Sequence, residues 1–219
     1  MRSLTAFSIV ITLLALAGCA TPPKHSNYTQ FRAESPRSIL VVPVTNRSVE
    51  VNAPDYFLST ISRPLAERGY YVFPVNMVKS VLADDGLSDA NMVHAGDPRR
   101  LGEMFGADSV LYVSIERWDA KYIVLSTSVT VALKYTLKST HSGEEIWSNH
   151  QTMVYQPQHN SNGGLAGLIA DAIVAAIAKA APNYLPLAVM ANDQAINLKN
   201  TGLPAGPYDG AFGKDLVDF

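Results

Sequence analysis

The sequence predicts an α/β fold: a mixed sheet that starts as a parallel βαβ unit, continues as an antiparallel three-strand meander, and is packed by helices. Three observations carry this reading. The run Ser38–Val44 is continuously apolar, as a strand buried on both faces must be. An amphipathic stretch ending at Gly69 separates it from a second short apolar run, Tyr70–Val75, and so supplies the crossover a parallel pair requires. From Leu111 onward apolar and polar residues alternate, the period of strands with one covered face.

Each element can be justified in order. Pro43 has no N–H for a ladder, so pairing of the first strand is expected to end there. The polar loop Thr45–Asn52 leads into a helix from Asn52 to Arg68, opened by Pro54 and Asp55 and closed by Gly69. Phe57, Leu58, Ile61 and Leu65 form its apolar stripe, and Pro64 is expected to kink it. Two short helices follow the second strand, Asn76–Ala83 and Asp97–Phe105, separated by the polar loop Asp84–Gly96. Leu111, Val113 and Ile115 then alternate with Tyr112, Ser114 and Glu116, and a turn is expected around Asp119-Ala120. In the next strand Ile123, Leu125, Val129, Val131, Leu133, Tyr135 and Leu137 share one face. Ser126, Ser128, Thr130, Lys134 and Thr136 share the other. His141-Ser142-Gly143 makes a turn, and Glu144–Tyr155 returns with Trp147, Met153 and Tyr155 on one side. After the Asn/Ser/Gly-rich loop Gln156–Gly164, apolar residues at 165, 168, 169, 172, 173, 176, 177 and 180 make a helical stripe. The far side of that helix is Ala-rich, with only Asp171 and Lys179 charged, which makes it the candidate homodimer element. Beyond Asn197 the Gly- and Pro-rich tail reads as a strap.

The amino terminus has its own logic. Arg2 precedes an apolar stretch, Ala6–Gly18, that is too short to span a bilayer and ends in small residues, the layout of a secretory signal peptide. Leu16-Ala17-Gly18-Cys19 resembles the lipobox of bacterial lipoproteins. That resemblance implies cleavage between Gly18 and Cys19, a diacylglycerol on the Cys19 sulfur and acylation of the freed amine. Two or more acyl chains hold a protein stably at a membrane where one does not. By the same resemblance, Ala20 after the Cys, in place of Asp, implies sorting to the outer membrane. The periplasmic face is the expected side, ahead of the cell surface, although Ala20 does not encode it. The expected organisation is a signal peptide at 1–18, a lipidated Cys19 and flexible tether at 19–36, an α/β domain at 37–197 and a strap at 198–219. The partner implied by this terminus is membrane lipid, bound through Cys19.

Composition and motif content exclude several classes. With 17 Lys+Arg against 19 Asp+Glu there is no cationic excess to neutralise nucleic-acid phosphates. The one Cys excludes an intramolecular disulfide and a Cys-based zinc site, and lipidation would consume the thiol. No Gly-x-Ser-x-Gly elbow, His-Glu-x-x-His pair or Gly-Lys-Ser/Thr phosphate loop occurs. The five His (25, 94, 141, 150, 159) lack the spacing of a helix-borne metal pair. Gly163-Gly164 with Gly167 reads as a helix entry, and Asp84, Asp85 and Asp89 as a solvated acidic loop. No catalytic residue, metal or cofactor is assigned. His150 and Asp171 would be the residues to substitute were the chain a hydrolase of envelope polymers.

Three local pieces carry a wider resemblance. Val41-Val-Pro-Val-Thr-Asn46 is similar to a first-strand motif, with Val44 in place of the usual aromatic residue. Pro64–Pro74 resembles a helix-to-strand passage, and Gly106-Ala-Asp-Ser-Val-Leu111 a Gly-Ala-Asp strand entry. In this order behind a lipobox, they resemble the fold shared by the TolB amino-terminal domain and the curli-secretion lipoprotein CsgG. Leu203-Pro-Ala-Gly-Pro-Tyr208 is closer to one branch, a lipoprotein family first noticed as a genome-derived vaccine antigen. The resemblance spans roughly residues 36–208 and implies no reaction. It implies a non-enzymatic docking or assembly module, serving outer-membrane assembly or secretion beside other envelope lipoproteins or a CsgG-like partner. The alternating strands also fit the hairpins of an oligomeric secretion pore, the alternative expectation.

Overall fold

A computed structural model describes residues 26–123, 126–155 and 184–219. The signal segment, Cys19, the helix expected at 165–180 and His25, His159 and Asp171 lie outside the described residues. In chain order the elements are α1 (Thr29–Glu34), β1 (Ser38–Val41), β2 (Thr45–Asn46), α2 (Ala53–Glu67), β3 (Tyr71–Val72), α3 (Val75–Asp84), α4 (Ala90–Ala95), α5 (Pro98–Phe105), β4 (Ser109–Ile123), β5 (Ser126–Ser139), β6 (Glu145–Tyr155) and α6 (Leu185–Asn197).

The mixed sheet runs β3-β1-β4-β5-β6, with β2 also on β4. β1 is parallel to both β3 and β4, so the expected βαβ start is present, and β4-β5-β6 form the antiparallel meander. Val41 pairs with Leu111 and Thr45 with Ser114, so three residues around Pro43 face two on β4. Pairing of the strand expected at 38–44 thus stops before Pro43, as its missing N–H demands, and resumes after one extra residue as β2, inside the stretch expected to be loop.

Both faces of β1 are buried. Ile39 and Val41 pack beneath α2 and α6 with Leu111, Val113, Ile115 and the apolar row Val129, Val131, Leu133, Tyr135 and Leu137 of β5. Leu40 and Val42 pack on the other face with Val110, Tyr112 and the inner sides of α3, α4 and α5. The second cluster covers only β1 and the start of β4. The apolar side of both long strands is thus spent on the core, and the opposite side of β4-β5-β6 is polar and largely open.

Four expectations are corrected. β4 runs through Asp119-Ala120, where a turn was expected, to Ile123. The register with β5 skips Glu116, so Ile115 and Trp118 both face the core, and this bulge breaks the alternation in the way a strand end would. The loop Asp84–Gly96 holds α4, whose N-cap Asp89 accepts from the Asn91 N–H; its single buried apolar residue, Val93, gives too little periodicity to read. α6 was not anticipated, because buried Asn192 interrupts a stripe otherwise made by Leu187, Ala188, Ala191, Ala195 and Ile196. Finally, the expected tether at 19–36 contains α1, with Tyr28 and Phe31 in the core, so any free tether ends before Ser26. Pro64 sits buried inside α2.

Candidate interaction surface

The motif residues turn out to build corners. Asp108 Oδ2 accepts from the Arg37 N–H, the Ser38 N–H and Ser38 Oγ, each at 3.0 Å, and thereby sets the entry to β1 beside β4. Gly106, at φ +69, closes α5 in the left-handed conformation that lets the chain turn into that entry. Asn46 Oδ1 accepts from the Ser48 N–H and hydroxyl, while its Nδ2 donates to the Glu50 carbonyl, tying the loop after β2.

The strap closes on the Arg68-Gly69-Tyr70 corner after α2. Arg68 Nε donates to the Leu203 carbonyl at 2.6 Å, and its Nη2 pairs with Asp215 at 2.9 Å. The Tyr70 hydroxyl donates to the Pro204 carbonyl at 2.7 Å, and the Gly206 N–H to the Arg68 carbonyl at 2.7 Å. A side chain on Gly206 would sit 2.3 Å from the Gly69 carbonyl oxygen, so glycine is required by close approach of two backbones. Farther on, the buried Phe219 ring lies edge-on to Tyr28 and under the Arg68 guanidinium, 4.3 Å from its centroid. Arg32 Nη2 donates to the Phe219 carbonyl oxygen. The strap and the first described residues are one clasp.

The open sheet face presents a different chemistry. Across the strands, Ser114 stands opposite Lys134 and Lys134 opposite His150. The bulged Glu116 reaches back to His150, its carboxylate 3.1 Å from Nε2. Thr152 and Val154 continue the exposed row on β6, Val154 at 57% exposure. At the β2 end, α4 walls off a polar cleft of about 370 Å³, lined by Arg47, Asn91, His94, Tyr112, Glu116 and Lys134 among others. His94 Nε2 hydrogen-bonds the Pro43 carbonyl at 2.9 Å and its ring stands edge-on to Tyr112. Burial, reinforced by nearby Lys138, lowers the His94 pKa below the usual imidazole value despite that hydrogen bond. The neutral ring is therefore the donor to Pro43. Burial also pushes the Tyr112 phenol up to about 12. Tyr112 OH and Ser114 Oγ have no hydrogen-bond partner among the described residues. The cleft combines two cations, one engaged carboxylate and several hydroxyl and amide groups, which suits polar contact with another protein.

The three described His do not converge. His94 is in the cleft, His150 on the open face and His141 in the exposed β5–β6 turn. No group of three His, Cys, Asp or Glu that could hold a metal occurs among the described residues. His150, named with Asp171 as a residue to test for hydrolysis, is paired with Glu116 and half exposed. The cleft itself had only a weak sequence signal, the polar half of an alternating strand, and α4 as its wall had none.

The arrangement can be set beside known proteins. The family model "Putative lipoprotein GNA1162-like" matches residues 26–208, which run from the clasp to the end of the Leu203–Tyr208 segment. The chain belongs to the GNA1162-like lipoprotein family. It is 37% identical over 167 residues to "Putative lipoprotein NMB1124/NMB1162" of Neisseria meningitidis serogroup B, covering 76% of this chain and 77% of that one. The crystal structure of lipoprotein GNA1162 from Neisseria meningitidis is 38% identical, with a TM-score of 0.55, covering 65% of this chain and 99% of that one. The LpoB C-terminal domain of Salmonella enterica is 24% identical with a TM-score of 0.39, over 54% of this chain and 84% of that one, too slight a likeness to build on. Membership in this family implies an envelope location and a lipid anchor, and neither the family nor these relatives bear an enzyme's name. The match begins ten residues before the expected limit of 36, where α1 enters the core. Kinship with TolB and CsgG rests on the sequence motifs alone.

Proposed function

We propose that this protein is an outer-membrane lipoprotein, anchored through acylated Cys19 and facing the periplasm, that acts as a non-enzymatic docking module in envelope assembly or secretion. The observation that carries the reading is the division of its sheet. One side of β4-β5-β6 is consumed by the core, while the other offers the exposed row Lys134, His150, Thr152 and Val154 and the polar cleft under α4. A folded domain whose described residues leave half a sheet as an uncovered polar face, on a lipid leash, is built to meet another protein. The partners proposed are other envelope lipoproteins or a CsgG-like secretion component, and the domain works as a homodimer.

The test is site-specific photocross-linking in cells. A photoreactive residue at Lys134 or Thr152 should give discrete adducts with one envelope protein, identified by mass spectrometry, and the same residue at Lys79 on α3 should not. Adducts with no protein, in cells where the lipoprotein is folded and membrane-bound, would refute the assignment of this face. A Cys19→Ser variant that is still cut before residue 19, or a wild-type amino-terminal peptide that carries no acyl chains, would refute the anchor.

A further inference from the structure

We infer that the apolar side chains of Leu198, Leu216 and Val217 form a membrane-contact patch that rests in the lipid interface around the anchor. This deepens the anchored reading above and rests on it. The three side chains are 51%, 60% and 90% exposed, high values for aliphatic residues, although the strap's 202–206 run and Phe219 are buried. Backbone hydrogen bonds hold them together at the point where the chain enters the domain. The Asn200 N–H donates to the Asp218 carbonyl at 2.7 Å, and the Asn200 carbonyl accepts from the Ser26 N–H at 2.8 Å. Leu198 and Lys199 on one side, and Leu216, Val217 and Asp218 on the other, thus flank Ser26, the first described residue.

The length of chain outside the structure decides what lies opposite. Six residues separate Cys19 from Ser26. Even fully extended, those seven steps reach only about 25 Å. With acyl chains on Cys19, the end of the domain that carries the patch is the end held near the bilayer. Lys199 fits that placement. Its ammonium is mostly exposed beside the patch, pairs with Asp218 at 3.0 Å, and is free to turn toward lipid phosphates. Arg32, which holds Phe219, adds a second cation on the same clasp. The clasp between the strap and α1 keeps the patch and the leash at one end, so the anchor orients the domain as well as retaining it. The open sheet face then stands away from the lipid, where a partner can reach it.

The experiment uses the full lipidated protein in vesicles of phosphatidylethanolamine and phosphatidylglycerol. Acylation leaves Cys19 without a free thiol, so Val217→Cys gives a single labelling site for an environment-sensitive fluorophore. Asn91→Cys on α4, across the sheet, is the control. A quencher carried on lipid tails should remove most of the emission from 217 and little from 91, while aqueous iodide should do the reverse. Thermal melts and circular dichroism of both labelled proteins check that the fold is kept, and Leu198→Cys provides a second probe should 217 perturb the strap. Mass spectrometry of the amino-terminal peptide reads the anchor separately. A peptide without acyl chains would overturn the anchored reading and the patch with it. An acylated protein whose 217 and 198 probes are quenched by iodide and not by lipid would overturn the patch alone. Probes shielded from both quenchers would show that protein covers it, and would overturn it too.

Discussion

Asn192 offers the sharpest test of how the two helices are locked to the sheet. Its amide is fully buried on α6 and joins three elements. Oδ1 accepts from the Tyr135 hydroxyl of β5 at 2.8 Å, and Nδ2 donates to Thr60 Oγ1 at 2.8 Å and to the Phe57 carbonyl of α2 at 3.3 Å. Replacing Asn192 by Leu keeps the volume and removes all three bonds. Thr60 keeps its bonds to the Tyr56 and Phe57 carbonyls, so the group left stranded is the Tyr135 hydroxyl, in a fully buried residue. An unsatisfied buried donor costs about 1–3 kcal/mol, and each lost net bond about 1 kcal/mol more. Asn192→Leu should therefore destabilise by about 3 kcal/mol. Tyr135→Phe strands only one lone pair of Oδ1 and should cost about 1–2 kcal/mol. The double variant removes the stranded hydroxyl, so its cost should fall below the sum of the two by about 1–2 kcal/mol. Equilibrium urea unfolding reads this directly. With a slope of roughly 2 kcal/mol per molar, Asn192→Leu should lower the midpoint by about 1.5 M. Additive costs, with unchanged slopes, would refute the claim that the phenol depends on this amide.

Three further outcomes follow from the same physics. Gly206→Ala drives a Cβ into the Gly69 carbonyl and should cost about 2–3 kcal/mol, a melting-temperature loss of about 5–10 °C by calorimetry, whereas Gly210→Ala, with open space around it, should cost far less. Alkaline stability should fall above pH 10: burial raises the phenols of Tyr28 and Tyr112 to about 12 and those of Tyr70 and Tyr135 further, so the unfolded chain loses protons that the folded one keeps. Urea midpoints at pH 9 and 11 check this, and Tyr112→Phe should flatten part of the slope. On the acid side the folded His94 resists protonation, so the unfolded chain binds the extra proton first and stability should fall as pH drops through about 6.5; His94→Gln should remove that step.

The sequence showed the core well and the edges of elements poorly. The apolar stripes of α2 and β5 were legible because burial enforces a strict period, and Phe57, Ile61, Leu65 and the row from Val129 to Leu137 are all in the core. Where a strand changes phase, the period misleads. Glu116 on β4 adds an unpaired residue, and the alternation on either side of it belongs to one strand although it reads as two. Ile146 does the same at the start of β6, leaving Ile146 and Trp147 both buried. Long-range contacts leave no local mark either. Nothing near Tyr28 in the sequence shows that its hydroxyl meets the Gly202 carbonyl, so α1 reads as tether although the strap lies across it. The cleft fails for a related reason: its walls come from β2, α4, β4 and β5, and each contributes only one to three ordinary polar residues.

Recognition of the family and recognition of a partner rest on different residues. Asn46, the 68–70 corner, Asp108 and the 203–208 segment carried the resemblance, and each closes a corner of the fold. Changing them should unfold the domain before it alters binding. Lys134, Thr152 and Val154 carry no motif and hold nothing together, since the core beneath them is built by the other side of the same strands. Surface positions of that kind change stability by no more than about 0.5 kcal/mol when substituted. On the docking role proposed above, the frame and the anchor can stay as they are while substitutions on the open face alter binding. The substitutions that separate folding from docking are those on the polar rows of β5 and β6.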